Sequence, residues 1–389
     1  MIYCEKLKIL KANKYCPQID SLFDISRFAY NFILAQCIRK GYSKARKPSL
    51  KAIYDIQKEY RLLIKEGLMC DRNGEVYPEE FQTLLQSQPS QISDNECKNV
   101  HRAFSTLKRN NIPKFKKRTE QKYSFTIHRK TASSFKLAKG NLQVSKMKFD
   151  ISTSRFLTEA TQVKLITVSK NQYGYYISIT MEIPDDTFKQ QSLQNAVGID
   201  WGVKNFATDS DNTTFDFKQS RSFQKYVLLS KKLKEKQALL SWKRLHSSNW
   251  KSSKKYQQLK DSIKYIYEKL SNIRKDFLHK LSKYYVMNYQ SISIEDLKPS
   301  NMLKNHKLAR VIAEGMFYTW KVLLKYKAEW YGRDFFLKNP RNTSQTCSCC
   351  GTVLSSKMKL SQRIFICENP LCSLSIDRDY NASINILHA

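Results

Sequence analysis

No stretch of eighteen apolar residues occurs anywhere in this 389-residue sequence, so nothing in it reads as a membrane-spanning helix. The first residues, MIYCEKLKIL, lack both the apolar core and the small-residue cleavage site of a secretory signal, and an intracellular, cytoplasmic location is expected. Acidic side chains are scarce, with 34 Asp and Glu against 68 Lys and Arg, a formal net charge of +34. A chain this basic repels itself unless it meets a polyanion. The common polyanion is nucleic acid, and no membrane partner is expected. A ribosome-like or membrane-surface basic protein is the bland alternative. Histidine is also rare, six dispersed residues of which none is read as a metal ligand. The ten cysteines make no disulfide framework. Cys4, Cys16, Cys37, Cys70 and Cys97 are scattered, as buried small hydrophobes in a reducing compartment would be.

A hydrophobic content of 41% with 12% aromatics indicates folded structure, and the length allows two or three domains. Residues 2–10 alternate as an opening strand. Ile19, Leu22, Phe23, Phe28 and Leu34 keep helical spacing, and helical patterns continue, through a turn at Asp71–Val76, to roughly Arg109. In Ile112–Lys122 lysines and one arginine interleave with Phe115, followed by Tyr123 and Phe125. A charge run is usually a solvated face; this one favours a phosphate-contacting edge at Lys114, Phe115, Lys116, Lys117 and Arg118. From Tyr123 to Ile183 the period changes to two, with a hairpin turn at Asn171–Gly174, which reads as a β-barrel or sandwich into which the helices are inserted. Val197 and Ile199 then flank Asp200, expected in the middle of a strand on the face opposite the core. Two basic helices follow at roughly 220–245 and 254–288. Ile292 and Ile294 alternate into Glu295 at the end of another strand. A helix with Val311, Phe317, Trp320 and Leu324 as its seam leads to a last strand at Arg333–Asn339.

The final fifty residues hold the densest chemistry. Cys347, Cys350, Cys367 and Cys372 make a C-x2-C-x16-C-x4-C array, the spacing of a tetrahedral thiolate zinc site. Asp377 and Asp379 open an amphipathic run directly after it. A strand with Asp200 and a hairpin, a later strand ending in Glu295 and a late helix starting at Asp379 are, in that order, the parts of an RNase H-like α/β core. Such carboxylates converge on a pair of divalent ions, and hard oxygen ligands select magnesium or manganese rather than zinc.

GIDWGVKNFA, SISIEDLKPSNM, TSQTCSCCG and DRDYNASINI resemble the motifs of TnpB-type proteins, the OrfB family encoded by insertion sequences and similar to miniature type V CRISPR effectors. SRFAYN (Ser26–Asn31) and KNVHRAF with IPKFKK (Lys98–Lys117) resemble the family's N-terminal signatures, so the likeness covers nearly the whole chain. It implies an RNA-guided DNA endonuclease with guide RNA and double-stranded DNA as partners. The implied fold is α/β plus β-barrel and helical parts. A wedge-like β-barrel (1–16 and 111–190) carries a helical recognition insert (17–110). An RNase H-like (RuvC) nuclease domain (191–389) holds a helical insert at about 218–288 and a zinc-binding module at about 342–376. The implied catalytic carboxylates are Asp200, Glu295 and Asp379, with two magnesium (or manganese) ions, and the implied structural zinc is one. The family pattern favours Asp379 over Asp377. Arg363 matches a position where related nucleases supply an assisting arginine; a plain phosphate contact is the other reading. The second cysteine pair departs from the family in having four intervening residues, where two are usual. Cys349 adds a fifth thiol, a spectator or a replacement for Cys350. An RNA-guided repressor without cleavage, a strand-joining transposase and a compact CRISPR effector are the competing functions. The three carboxylates argue against the repressor.

Overall fold

The computed structural model describes residues 1–10, 12–71, 73–87, 89–107, 111–117, 123–129, 135–138, 141–144, 147–152, 162–171, 173–189, 191–202, 205–247, 249–250, 252–297, 317–358 and 362–389. Arg118, Val311 and the end of the SISIEDLKPSNM motif from Lys298 onward lie outside them. The chain divides into two compact units, Met1–Pro184 and Asp185–Ala389.

In Met1–Pro184 the helices are α1 (Ala12–Arg39), α2 (Leu50–Glu66), α3 (Glu79–Ser87) and α4 (Gln91–Ser105). The start of α2 is fixed by Ser49, whose hydroxyl accepts from the Ala52 N–H. Its end is fixed by Gly67, in the left-handed region at φ 68°. Ile33, Leu34 and Cys37 of α1 pack on Ile53 and Ile56 of α2 and on Cys97, Val100 and Phe104 of α4. Each such large side chain withdrawn from water contributes about 1.5–3 kcal/mol. The strands are β1 (Ile2–Lys8), β2 (Ser124–His128), β3 (Phe135–Ala138), β4 (Asn141–Val144), β5 (Met147–Asp150), β6 (Gln162–Asn171) and β7 (Gly174–Glu182). They fall into two antiparallel sheets, β1-β7-β6-β2 and β3-β4-β5, in the stretch that the sequence reads as a β-barrel or sandwich. β7 is paired on both edges, with β1 and β6, and the isolated Ile9–Ile151 bridge lies beyond the end of β1.

Asp185–Ala389 is built on a five-stranded sheet of β8 (Ala196–Asp200), β9 (Ala207–Asp209), β10 (Thr214–Phe215), β11 (Ser291–Glu295) and β12 (Asp334–Lys338), in the order β10-β9-β8-β11-β12. β8, β11 and β12 run parallel; β9 is antiparallel to β8, and β10 to β9. Between β10 and β11 the chain makes α5 (Phe223–Leu245) and α6 (Lys254–Asn288), close to the bounds read from periodicity. α7 (Phe317–Tyr331) precedes β12. The hairpin β13 (Ile364–Ile366) and β14 (Ser375–Asp377) leads directly into α8 (Arg378–His388). Val197, Ile199, Ile292 and Ile294 all belong to the core packed with α6 and α7. Since side chains alternate along a strand, Gly198, Asp200, Ser293 and Glu295 share the other face, and α8 covers it.

Candidate active site and metal centre

Ile294 pairs with Ile199 across the parallel β8–β11 ladder. One step further, Asp200 and Glu295 come level at the C-terminal ends of neighbouring strands. Asp200 therefore ends its strand instead of occupying the middle. The cause lies in β9, which turns back after Trp201–Gly202 to pair Thr208 with Asp200 and Asp209 with Ile199. α8 brings the third carboxylate by close approach of backbones. A Cβ on Gly198 would fall 2.2 Å from the Ser383 carbonyl oxygen, and one on Gly202 would fall 3.7 Å from Asp379 Oδ2. Between those two points lies Asp200. Its carboxyl is raised well above the usual carboxylate range, first by burial and then by the negative charges of Glu295 and Asp379; Arg378 opposes the shift. Glu295 is 8% exposed and is also raised by burial, while the Thr343 hydroxyl donates to its Oε1.

The two aspartates of the DRD segment have separate tasks. Asp377 is the N-cap of α8, its Oδ1 accepting from the N–H groups of Asp379 (2.8 Å) and Tyr380 (3.1 Å). Asp379, two residues on, lies in the first turn of the helix, with Oδ2 3.5 Å from Arg363 Nη1. β13 and β14 bring the two residues together. Ile364 pairs with Asp377, and the next residue outward, Arg363, accepts the Arg378 N–H at 2.7 Å. Arg363 keeps a 40% exposed side chain against 13% for Asp379, so its guanidinium is available beyond this contact.

Among the described residues only four groups form a ligand set with atoms all within 4.8 Å of one another, the thiols of Cys347, Cys350, Cys367 and Cys372. Sγ of Cys347 is 3.7 Å from that of Cys372, and Sγ of Cys350 is 3.5 Å from that of Cys367. Four thiolates about 2.3 Å from one tetrahedral ion stand about 3.8 Å apart, so the set fits zinc. Hydrogen bonds with the Thr352 side chain and backbone pull the Cys350 thiol down to about 6, toward the thiolate, whereas Cys367 and Cys372 in the same set are raised and would give up their protons to an ion. The longer second spacing is absorbed outside the set: Leu371 is 98% exposed while Cys372 N–H bonds back to the Asn369 carbonyl. Cys349 is exposed and outside the four, although it interacts with Cys372. The three carboxylates are not gathered into one ligand sphere. Like charges keep apart, and three carboxylates around two ions also span a wider space than one ion's sphere. Their oxygens are the hard donors that magnesium takes.

Sequence reading missed the link between the two centres. Asn381 is fully buried in α8; its Oδ1 accepts the Ser348 N–H at 2.9 Å and its Nδ2 donates to the Thr346 carbonyl at 2.8 Å. One turn on, Asn385 donates to the carbonyls of Thr343 and Thr346. The helix that carries Asp379 thus grips the strand of chain entering the thiol cluster, through the segment that also holds Glu295. An Asn pair at i, i+4 is the only trace of this in the sequence. Asp209, by contrast, serves its own turn. It is fully buried and accepts the N–H groups of Asp211 and Thr213.

In Met1–Pro184 the N-terminal signature segments meet. Asn31 and Lys116 exchange backbone–side-chain hydrogen bonds at 2.8 and 3.0 Å. Lys116 Nζ is 2.7 Å from buried Glu96 and 4.2 Å from the Tyr30 ring centroid, and Ser26 donates to the other Glu96 oxygen. The Lys116 charge is therefore largely held inside, unlike the exposed Lys114, Phe115 and Lys117. Tyr30, Glu96, Phe115, Lys116 and Lys117 border a cavity of about 720 Å³ that reaches Arg102, Thr126 and His128.

Two family models match, one described as "Cas12f1-like, TNB domain" over residues 317–386 and the OrfB IS605 model, "Probable transposase", over residues 178–306. Two relatives bear the name "Putative RNA-guided DNA endonuclease". One, from Streptomyces pristinaespiralis, is 29% identical over 91% of this chain and 83% of its own. The other, InsQ of Escherichia coli (strain K12), is 33% identical over 78% of this chain and 75% of its own. The chain belongs to the TnpB (OrfB) family. A solved structure, the Cas12f1–sgRNA–target DNA complex, is similar in fold, with a TM-score of 0.52 at 15% identity over 99% of this chain and 98% of that one.

Proposed function

We propose that this protein is an RNA-guided DNA endonuclease of a mobile element, cleaving DNA beside a short target-adjacent motif. Guide RNA pairs with one strand of double-stranded DNA and so selects the sequence, while the protein reads the short motif and the shape of the hybrid. The net charge of +34 supports two polyanionic partners at once. The observation that carries the cleavage step is the convergence of Asp200, Glu295 and Asp379 at adjoining strand and helix ends, where the charges of Glu295 and Asp379 bear on the half-buried Asp200 carboxyl. Uncompensated, that arrangement is costly; with divalent cations it becomes a binding site.

In this reading Asp185–Ala389 has an RNase H-like (RuvC) core within 191–389, with a helical insert at about 218–288 and a zinc module at about 342–376. The wedge-like barrel of 1–16 and 111–190 with its recognition insert of 17–110 binds RNA and DNA; Lys114 and Lys117 contact phosphate and Phe115 stacks on a base. Asp200, Glu295 and Asp379 hold two magnesium ions. When bound, these supply an activated water and positive charge at the leaving oxygen of a phosphodiester. Thr343 fixes the Glu295 rotamer, and Asp377 fixes the first turn of α8 so that Asp379 faces Asp200. The Arg363 guanidinium steadies Asp379 and meets the non-bridging phosphate oxygens. Cys347, Cys350, Cys367 and Cys372 hold one zinc, which stabilises the module that Asn381 and Asn385 tie to α8.

The test is to load the protein with guide RNA and compare wild type with Glu295→Ala on a complementary duplex. Binding is expected to survive while cleavage falls by ~10³-fold or more, the loss of several kcal/mol of transition-state stabilisation. Undiminished cutting by Glu295→Ala removes the carboxylate site from the reaction.

A further inference from the structure

The far end of the α5–α6 hairpin carries a cluster that the proposed nuclease chemistry leaves unused. β10 runs parallel to β8, so the chain leaves the sheet at the carboxylate end. α6 returns to the start of β11, at the opposite end. Only the last part of α6, from Leu278 to Val286, packs on the sheet core, whereas Leu259 to Leu270 pack on α5. The hairpin therefore extends past the carboxylate end by roughly 30 Å, at 1.5 Å per helical residue.

At its tip Trp242 is 56% exposed and Leu245 80%. An exposed indole normally costs an apolar exposure that a helix avoids. Here it is held ready as a flat surface. The His246 ring stacks on it at 4.7 Å and 20°, pinned by the contact of Nδ1 with the Trp242 carbonyl oxygen at 2.9 Å. Beside it, Arg244 lies over the Trp250 ring at 5.6 Å, and Trp250 packs on Tyr256 at 4.8 Å. α5 has Glu235 as its one acidic residue among seven basic ones, so the occupant is anionic. Flat aromatic faces interleaved with cations fit unpaired bases on a phosphate backbone, and they fit a duplex poorly because its bases are already stacked.

We propose that this tip is a stacking site for single-stranded DNA, namely the strand that guide pairing displaces. The proposal rests on the guided-nuclease reading, and the direction of the hairpin supports it. An arm reaching out from the carboxylate end holds a strand where it enters or leaves the cleavage centre.

The experiment places 2-aminopurine in the displaced strand of a target duplex, with the guide-loaded full chain in calcium so that the duplex stays uncut. Stacking on Trp242 quenches the fluorescence. Quenching is expected in wild type and in Trp242→Phe. In Trp242→Ala it is lost, and the displaced strand is retained roughly five- to hundred-fold more weakly. Because Trp242 is exposed, an unchanged melting temperature accompanies the expected result. Three outcomes overturn the proposal: quenching that persists in Trp242→Ala, an effect seen only with 2-aminopurine in the guide RNA, or a loss of self-association with both strands unaffected. If wild type forms no complex with complementary DNA, the guided reading itself has failed; an intact complex indifferent to Trp242 overturns only the stacking site.

Discussion

Gly198 of β8 and Ser383 of α8 approach so closely that no side chain fits between them; a Cβ at Gly198 would sit 2.2 Å from the Ser383 carbonyl oxygen and 2.5 Å from the Leu387 nitrogen. The obstacle is helix backbone, which cannot rotate away as a side chain can. Gly198→Ala is expected to push α8 off the sheet, destabilising the protein by about 1–3 kcal/mol or more. Asp379 moves with the helix, and a displacement near 1 Å lowers cleavage by ~10²-fold. Thermal unfolding and single-turnover cleavage check both effects. A variant as stable and active as wild type shows that α8 is not seated by this contact.

The Asp200 carboxyl is raised by burial and by its acidic neighbours, so the folded state holds its proton more tightly than the unfolded state does. Below the ordinary aspartate range both states are protonated and the group costs nothing. As pH rises from that range to the elevated native value the penalty grows, and above it the penalty is constant. Asp200→Asn removes the charge. In divalent-free buffer the variant is expected to melt above wild type, by a margin that widens with pH through this window and then levels off, while cleavage is abolished. A margin that is absent at neutral pH, or that shrinks as pH rises, contradicts the assignment.

Within the DRD segment the roles divide by hydrogen bonding. Asp377→Ala removes a helix cap and is expected to cost about 1 kcal/mol, with a modest drop in rate. Asp379→Ala is expected to leave the melting temperature almost unchanged and to reduce cleavage by ~10³-fold or more. The reverse pattern places the metal ligand at Asp377.

Elemental analysis is expected to give about one zinc per chain. EDTA mild enough to strip magnesium should leave it in place, because thiolate zinc contributes folding energy directly. Cys349→Ser is expected to retain zinc and Cys350→Ser to lose it, together with the seating of the Thr343–Ser348 segment on Asn381 and Asn385. A zinc-free protein that still folds and cuts excludes the thiol cluster from the structure's stability.

Much of the carboxylate set was legible because strand alternation places Asp200 and Glu295 against residues whose burial is written in Val197, Ile199, Ile292 and Ile294. Thiol spacing likewise picked out the four cysteines that the fold gathers. What stayed hidden depends on chain segments far apart in sequence. Asp200 ends its strand because β9 folds back at Gly202, and a local pattern cannot show where a distant pairing stops. Lys116 looked like its neighbours Lys114 and Lys117. Only the fold brings Glu96 to within 2.7 Å of its ammonium. Thr343, Asn381 and Asn385 are polar residues of ordinary kind whose roles arise from what the last helix is packed against. Strand periodicity left barrel and sandwich open, because it counts strands without saying which edges they share.

The guided-nuclease reading is tested most directly by exchanging the guide segment of the bound RNA, keeping its scaffold, and mapping cleavage on a plasmid library in magnesium. Cutting is expected to move to the newly complementary site, beside an unchanged short motif, and to be absent without RNA. Cleavage that remains at the old site, or that proceeds equally well without RNA, contradicts it.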